Sequence, residues 1–353
     1  MKRLKKAWSL YFFILWASIA LMAPFIANDL ETRTALIPYS ASSLDYENTT
    51  ANPFKNQQVK SIYFRHWLGT DALGRDVLAQ LIYGSRSAFI IGFGAMLLAG
   101  FIGVILGATA AYFGDSIIQL QRSSIFILLF YLLIVISASV VIVPWDIASV
   151  SIMNKLLIFF LSLFLFGLLL VGLNFLIKRK IPKQAVVTIP LDLIIGRLIE
   201  VLESIPLLFL LVALSALLTP SSTSVILIIA FVAWPSIAKY TRAEVLKVKN
   251  LDFVENSRAL GLSDSQIIVK HILPNALGPV LISLSFGLAA AILMESTLSF
   301  LGIGIGSAEA SWGEILASAR KDYSAWWLAI FPGLLIFFTV LACNKLSDAF
   351  TKN

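Results

Sequence analysis

The chain has 353 residues, 27 Lys+Arg against 20 Asp+Glu for a net charge of +7, and 59% hydrophobic residues with only 13% charged. Soluble domains run at about 45–50% apolar and about 25% charged. The composition therefore excludes a soluble globular enzyme, a disordered chain, and a nucleic-acid binder that spreads its basic surplus over a wetted surface. The lone cysteine, Cys343, excludes an internal disulfide and a cysteine-based metal cluster.

The apolar residues fall in long runs, so the bilayer is the relevant solvent. The first run, near 7–27, is long enough at about 20 residues to cross the hydrocarbon. Lys2, Arg3, Lys5 and Lys6 precede it. A signal peptide starts the same way, but this run is longer than a usual h-region and no convincing small-x-small cleavage site follows. It reads as a retained anchor over 1–27 with its amino end in the cytoplasm.

Residues 28–84 are polar and mixed in charge, and read as the one sizeable extracytoplasmic segment. From 85 to 350 a transmembrane domain is expected. Apolar runs lie near 87–113, 124–143, 155–177, 194–218, 224–240, 279–303 and 326–346. With the first run they make about eight spans by the 20-residue criterion. An even number returns the chain to the cytoplasm, so both termini are expected there. Lys178, Arg179, Lys180 and Lys183 fall on the cytoplasmic side in this count, as the positive-inside rule requires.

Helices in lipid approach through small residues. Ala99, Gly103, Gly107 and Ala111 recur at spacings of four and predict a packing seam. Ser283, Gly287, Ala291, Glu295 and Ser299 repeat the spacing in a later span and put a small, polar stripe on a side that avoids lipid. An intramembrane carboxylate is costly and faces a bundle interior or a wet cavity. Glu295, with Ser299 and Gly287, is therefore a candidate for the pathway or its gate; a purely structural carboxylate is the other reading. Glu200 and Glu203 sit near a span entry and read as solvated or snorkelling. His66 and His271 lie on opposite sides in this topology and cannot share a metal. No Ser/His/Asp arrangement survives the same test, so no catalytic residue is expected. No G-x-x-x-x-G-K-[ST] loop occurs, so the chain should bind no ATP itself.

Residues 241–278 form the most informative connector. Asp252 with Glu255, and Ser263 with Gln266, have capping-box spacing and predict two short helices. Gly261 is a natural stop between them, and Pro274 is expected to end or bend the second. Leu251, Phe253 and Val254 make an apolar edge beside Asp252, Glu255 and Arg258. From 244 to 278, Lys247, Lys249, Arg258 and Lys270 balance Glu244, Asp252, Glu255 and Asp264. A loop serving only as a topology signal would be basic, and a helix lying on lipid would have a Lys/Arg-rich polar face. A balanced loop with an apolar edge predicts partner docking.

At these residues the chain resembles the permease subunits of bacterial ABC importers, whose cytoplasmic signature runs Glu-Ala-Ala, three residues, Gly, nine residues, Ile-x-Leu-Pro. Glu255, Gly261 and Leu273-Pro274 hold their places. Asn256-Ser257 replace the paired alanines and His271 takes the first apolar closing position. Three further stretches are similar to the second permease of the dipeptide/oligopeptide/nickel branch: His66–Leu78, His271–Ala276, and Glu295–Gly302 followed by Ser311-Trp312-Gly313. The resemblance covers roughly 1–114 and 189–350 and leaves about 115–188 as an insertion of two extra spans.

The resemblance implies an all-α polytopic protein with the type I importer permease fold of six core helices, in a bacterial inner membrane. It implies a sister permease, two cytoplasmic ATPases carrying the ATP and magnesium, and an extracytoplasmic solute-binding protein, with no cofactor, metal or nucleic acid on this chain. Peptides are the expected cargo, with nickel chelates and other small solutes behind. ATPase coupling would fall on Leu251, Asp252, Phe253, Val254, Glu255, Asn256, Ser257, Arg258, Ala259, Leu260 and Gly261. Within His66–Leu78, Asp71, Arg75 and Asp76 would either receive the binding protein or brace the bundle. An ion-gradient transporter, which needs broken helices and paired midplane charges, is the alternative function; a membrane-embedded enzyme would need a catalytic cluster that the sequence lacks.

Overall fold

The structure is a computed structural model that describes residues 2–28, 35–115, 119–121, 186–306 and 309–350. Residues 1–112 and 195–353 form one compact unit and residues 113–194 a second. Both expected spans at 124–143 and 155–177 lie outside the described residues. Within the second unit, β1 (Gln119–Gln121) pairs antiparallel with β2 (Val186–Thr188). That short pair accompanies an architecture that is otherwise helical among the described residues, as expected.

The first unit is built from apolar helices. α1 (Lys2–Ile26) buries Trp16, Ala20 and Ala23, and the Trp16 ring packs edge-on against Phe89 at 5.4 Å. α2 (Val77–Phe113) starts earlier than the expected span. Asp76 is its N-cap, with Oδ1 accepting the Ala79 amide at 2.7 Å; this satisfies an orphan donor of the first turn. Its 37 residues extend about 55 Å, more than the hydrocarbon needs, so its first turns stand in the polar cap built by residues 35–76.

The small-residue seam packs α2 on α5 (Ser222–Val248). A Cβ on Gly103 would lie 2.9 Å from the Trp234 carbonyl oxygen, and one on Gly107 3.0 Å from Thr241 Cβ. Backbones approach there because nothing larger than glycine fits.

The expected span at 194–218 is not one helix. α3 (Leu191–Ser204) and α4 (Leu207–Leu217) meet at 92°. Ile205 precedes a proline and is steered out of the helical region, and Pro206 brings no amide to continue the ladder.

α6 (Asp252–Ala259) follows α5, and then a continuous helix, α7, runs over Asp264–Phe300. The Ser263/Gln266 capping box forms. The Asp252/Glu255 box does not: Leu251 is the N-cap and both acids lie in the first turn, where they complement the helix dipole. Pro274 neither ends nor breaks α7. A π segment over Ile268–Ile272 bonds the Leu273 amide to the Ile268 carbonyl, and this wider turn accommodates the proline ring without a break. α8 (Trp312–Ala319) and α9 (Trp327–Phe350) complete the unit. Among the described residues five helices are long and apolar enough to cross a membrane, or six with the bent pair.

Candidate functional site

Three places carry the residues that the sequence singled out. The first is α6. It ends in a complete Schellman turn: the Leu262 amide bonds the Ser257 carbonyl at 3.3 Å and the Gly261 amide bonds Arg258 at 2.9 Å. Gly261 has φ +77°, a conformation that residues with a Cβ rarely adopt. The helix rests on the end of α2. Arg258 lies 5.4 Å over the Tyr112 ring, Tyr112 donates to Asp264 Oδ1 at 2.6 Å, and Lys249 Nζ donates to the Ala111 carbonyl at 2.7 Å. A cation at the carboxyl end of a helix complements the dipole there. Tyr112 and Lys249 carry no sequence signal, because their partners lie far away in the chain.

Burial corrects the apolar edge. Val254 is fully buried and Ser257 nearly so, while Leu251, Phe253 and Leu260 are 48%, 36% and 82% exposed. Val254 points inward as the anchor of α6, and Leu260 takes its place on the outer edge. Asp252, Glu255, Asn256, Arg258, Ala259 and Gly261 are exposed around it. The surface is an apolar strip flanked by charge of both signs.

The second place is Glu295 on α7, which is 1% exposed. Its Oε1 accepts Ser299 Oγ at 2.9 Å and Ser311 Oγ at 2.7 Å, and Oε2 accepts Ser296 Oγ at 3.3 Å. Ser311 is also the N-cap of α8, accepting the Gly313 amide at 3.0 Å. Trp312, the next residue, is fully buried and donates to the Leu81 carbonyl of α2 at 3.0 Å. Gly287 sits against Met96 of α2. Through Ser311 the Glu295 carboxylate latches α8 onto α7, while Ser299 bonds the same carboxylate from within α7. Any gating role would come from release of this latch.

The third place is the polar cap. His66 is fully buried, with Nδ1 at 2.8 Å from Asp76 Oδ2 and Nε2 at 3.1 Å from Asp45 Oδ2. Tyr39 stacks on its ring at 4.3 Å. Burial alone would lower the His66 pKa, but hydrogen bonds and charge from Asp76 and Asp45 outweigh it and raise it. Burial would likewise raise Asp45, but its hydrogen bonds from Asn48, His66 and the Glu47 amide lower it. Asp71 Oδ2 accepts Arg75 Nε at 2.7 Å and Gln80 Nε2 at 3.1 Å, and Arg75 reaches Glu314 of α8 at 3.4 Å. Asp71 and Asp76 are 2% and 1% exposed. These contacts tie Asp71, Arg75 and Asp76 into the cap and onto α8.

Among the described residues no group of three His, Cys, Asp or Glu side chains is placed to hold a metal. Among the described residues the arrangement thus comprises a bundle of apolar helices, a short exposed helix α6 held on the end of α2, and α8 bonded to α7 through Ser311 and Glu295.

Comparison with known proteins places it. Residues 187–353 match the family described as the binding-protein-dependent transport system inner membrane component. A protein assigned as a peptide transport system permease in Brucella suis is 30% identical over 285 residues, covering 80% of this chain and 71% of the relative. The dipeptide transport system permease DppC of Haemophilus influenzae is 29% identical over 343 residues, covering 96% and 86%. The inward-facing MetNI methionine ABC transporter superposes with a TM-score of 0.46 at 15% identity, covering 77% of this chain and 97% of that one. The chain belongs to the binding-protein-dependent transport system inner membrane components, the permease subunits of ABC importers. Among the described residues the α3–α4 break has an ion pair beside it, Glu203 of α3 with Lys239 of α5, but family membership sets the ion-gradient alternative aside.

Proposed function

We propose that this chain is the membrane subunit through which a bacterial ABC importer passes short peptides. The exposed edge of α6 carries the reading. Leu251, Phe253 and Leu260 stand out from a helix pinned at its inner face by Val254 and at its side by Arg258 and Tyr112. An apolar strip on so short and firmly held a helix fits a soluble partner's groove. The relatives named for peptide and dipeptide transport support the cargo class.

In this reading two ATPase subunits, which hold the ATP and magnesium, grip α6. A sister permease completes the pathway, and a solute-binding protein delivers cargo at the capped end. The chain does no chemistry. Both termini lie in the cytoplasm, with α6 on the same side. Closure of the ATPase pair moves α6, and the Gly261 turn passes the motion into α7. That helix continues unbroken to Glu295, so displacement at the docking turn arrives at the latch on α8 as a rigid-body shift.

The test uses the reconstituted importer. Gly261→Val strains the left-handed turn by about 1–2 kcal/mol and is expected to leave ATP hydrolysis while abolishing coupled uptake. Leu260→Asp is expected to weaken ATPase-subunit binding without unfolding the permease, since the side chain is exposed. Normal uptake and normal subunit binding in both variants refute the proposal.

A further inference from the structure

The amino end of α9 carries aromatic residues that no step above uses. Its span is Trp327–Lys345, 19 residues, and extends about 28 Å. A hydrocarbon layer is about 30 Å thick, and Asp322 and Lys345 bracket the span, so it has little room to slide along the membrane normal. Trp326 therefore stands at the edge of the hydrocarbon, on the side of the polar cap. Beyond it the exposed face of α9 is Ile330, Leu334, Phe337 and Phe338, at spacings that share one side of a helix with Trp326. All are large. Helices in lipid meet through small residues, so this face is turned to acyl chains.

The cap is fastened at that edge. Trp327 Nε1 donates to the Thr70 carbonyl at 3.0 Å. A Cβ on Gly69 would lie 2.9 Å from the same Nε1 and 3.0 Å from Pro53 Cδ, so a bare backbone there lets Pro53 close on α9. Phe54 then stacks on Trp326, with ring centroids 6.0 Å apart and planes at 15°, and yet is 79% exposed. The ring is held, not loose. Its own amide donates to Asn52 Oδ1 at 2.9 Å, and the Lys55 amide donates to the Asn52 carbonyl at 3.2 Å. Arg65 Nη2 donates to the Pro53 carbonyl at 3.1 Å, and the same guanidinium lies 5.8 Å over the exposed Trp67 ring.

A firmly held turn thus presents an apolar ring outward, at the polar border of a face that meets lipid. Aromatic rings settle at headgroup level. Lys55, next in the chain, is exposed, and a lysine stem lying along apolar surface carries its ammonium to the phosphate layer. We propose that the Pro53–Lys55 turn is a membrane contact. With Trp326 it seats Phe54 among phospholipid headgroups, and so holds the cap to the leaflet as well as to the helix bundle. The inference needs α9 to span the membrane and is independent of the cargo.

The experiment uses the complete importer in vesicles of tritiated phosphatidylcholine. A photoreactive benzoylphenylalanine replaces Phe54 in one preparation and the lipid-facing Ile330 in another. Light is expected to attach tritiated lipid to this chain from both positions. Attachment of position 54 to the sister permease or to the binding protein in place of lipid overturns the inference, as does no adduct at all from position 54 while position 330 labels. A second measurement needs no cross-link. The one cysteine of this chain, Cys343, is buried, so in an importer whose partner subunits carry no cysteine a nitrobenzoxadiazole probe can be placed on Phe54→Cys. Its emission is expected to be lost to doxyl groups carried near the lipid headgroup and kept in aqueous iodide. Quenching by iodide with none by the doxyl lipid places the turn in water and sinks the proposal.

Discussion

Replacing Ser311 by alanine tests whether Glu295 is a latch. The hydroxyl makes two bonds, one to Glu295 Oε1 at 2.7 Å and one from the Gly313 amide at 3.0 Å. Loss of an N-cap costs about 1 kcal/mol. An ordinary interhelical hydrogen bond in a membrane protein averages about 0.6 kcal/mol, whereas one to a charged group is worth about 1.5–3 kcal/mol. The expected loss for Ser311→Ala is therefore about 2.5–4 kcal/mol if Glu295 bonds as a carboxylate, and under about 2 kcal/mol if the bond is ordinary. Glu295→Leu removes the acceptor at similar side-chain volume, so the double variant isolates the pair. Thermal unfolding of the purified assembly gives the four corners of the cycle, and a coupling well above about 0.5 kcal/mol marks a direct interaction. A cysteine at the exposed Leu301 supplies a second readout, since freeing α8 should change its labelling rate. Additive single effects with unchanged labelling would refute the latch and return Glu295 to the pathway.

Other outcomes follow from the same geometry. Gly107→Leu drives a side chain into the Ala238–Thr241 stretch of α5; overpacking costs about 1–3 kcal/mol or more, and the yield of folded permease in membranes is expected to fall sharply. The cap should show a two-sided pH dependence. His66 has a raised pKa, so its stabilisation is fully present below about 6.5 and is lost as pH rises through the folded value. Asp45 has a lowered pKa, so its contribution is present above about 3.9 and is lost as pH falls through its folded value. Thermal scans from acid to alkaline pH should show greatest cap stability between those limits, with the alkaline slope absent in His66→Gln. A flat profile through the alkaline limb in the wild type would contradict the Asp45–His66–Asp76 bridge.

The legible part of the molecule is whatever short-range chemistry decides. Runs of about 20 apolar residues must cross the membrane whatever their neighbours, so the spans at α1, α5, α7 and α9 are visible in composition. The four-residue spacing of Ala99, Gly103, Gly107 and Ala111 announces a close helix approach, because only small side chains permit one. Gly261 and the Ser263/Gln266 box act within a turn of themselves, so the end of α6 and the start of α7 are set by their own residues. The branch motifs around His66, His271 and Glu295 point to the transporter family for the same reason: they are contiguous.

What a side chain faces is another matter. Val254 and Leu260 are apolar residues of the same short segment, yet one is fully buried and the other 82% exposed, and only the packing of the folded chain decides which. Asp71 and Asp76 look like surface charges until the folding of the cap brings Arg75, Gln80 and His66 onto them. Glu203 and Lys239 lie in different helices, and no local pattern pairs them; the bend at Pro206 does. Pro274 has the local character of a helix breaker and instead sits inside one, because a π turn just before it absorbs the misfit. For the Glu203–Lys239 pair the partner is distant in sequence, and electrostatic and packing energies depend on separation in space, which the chain acquires only on folding.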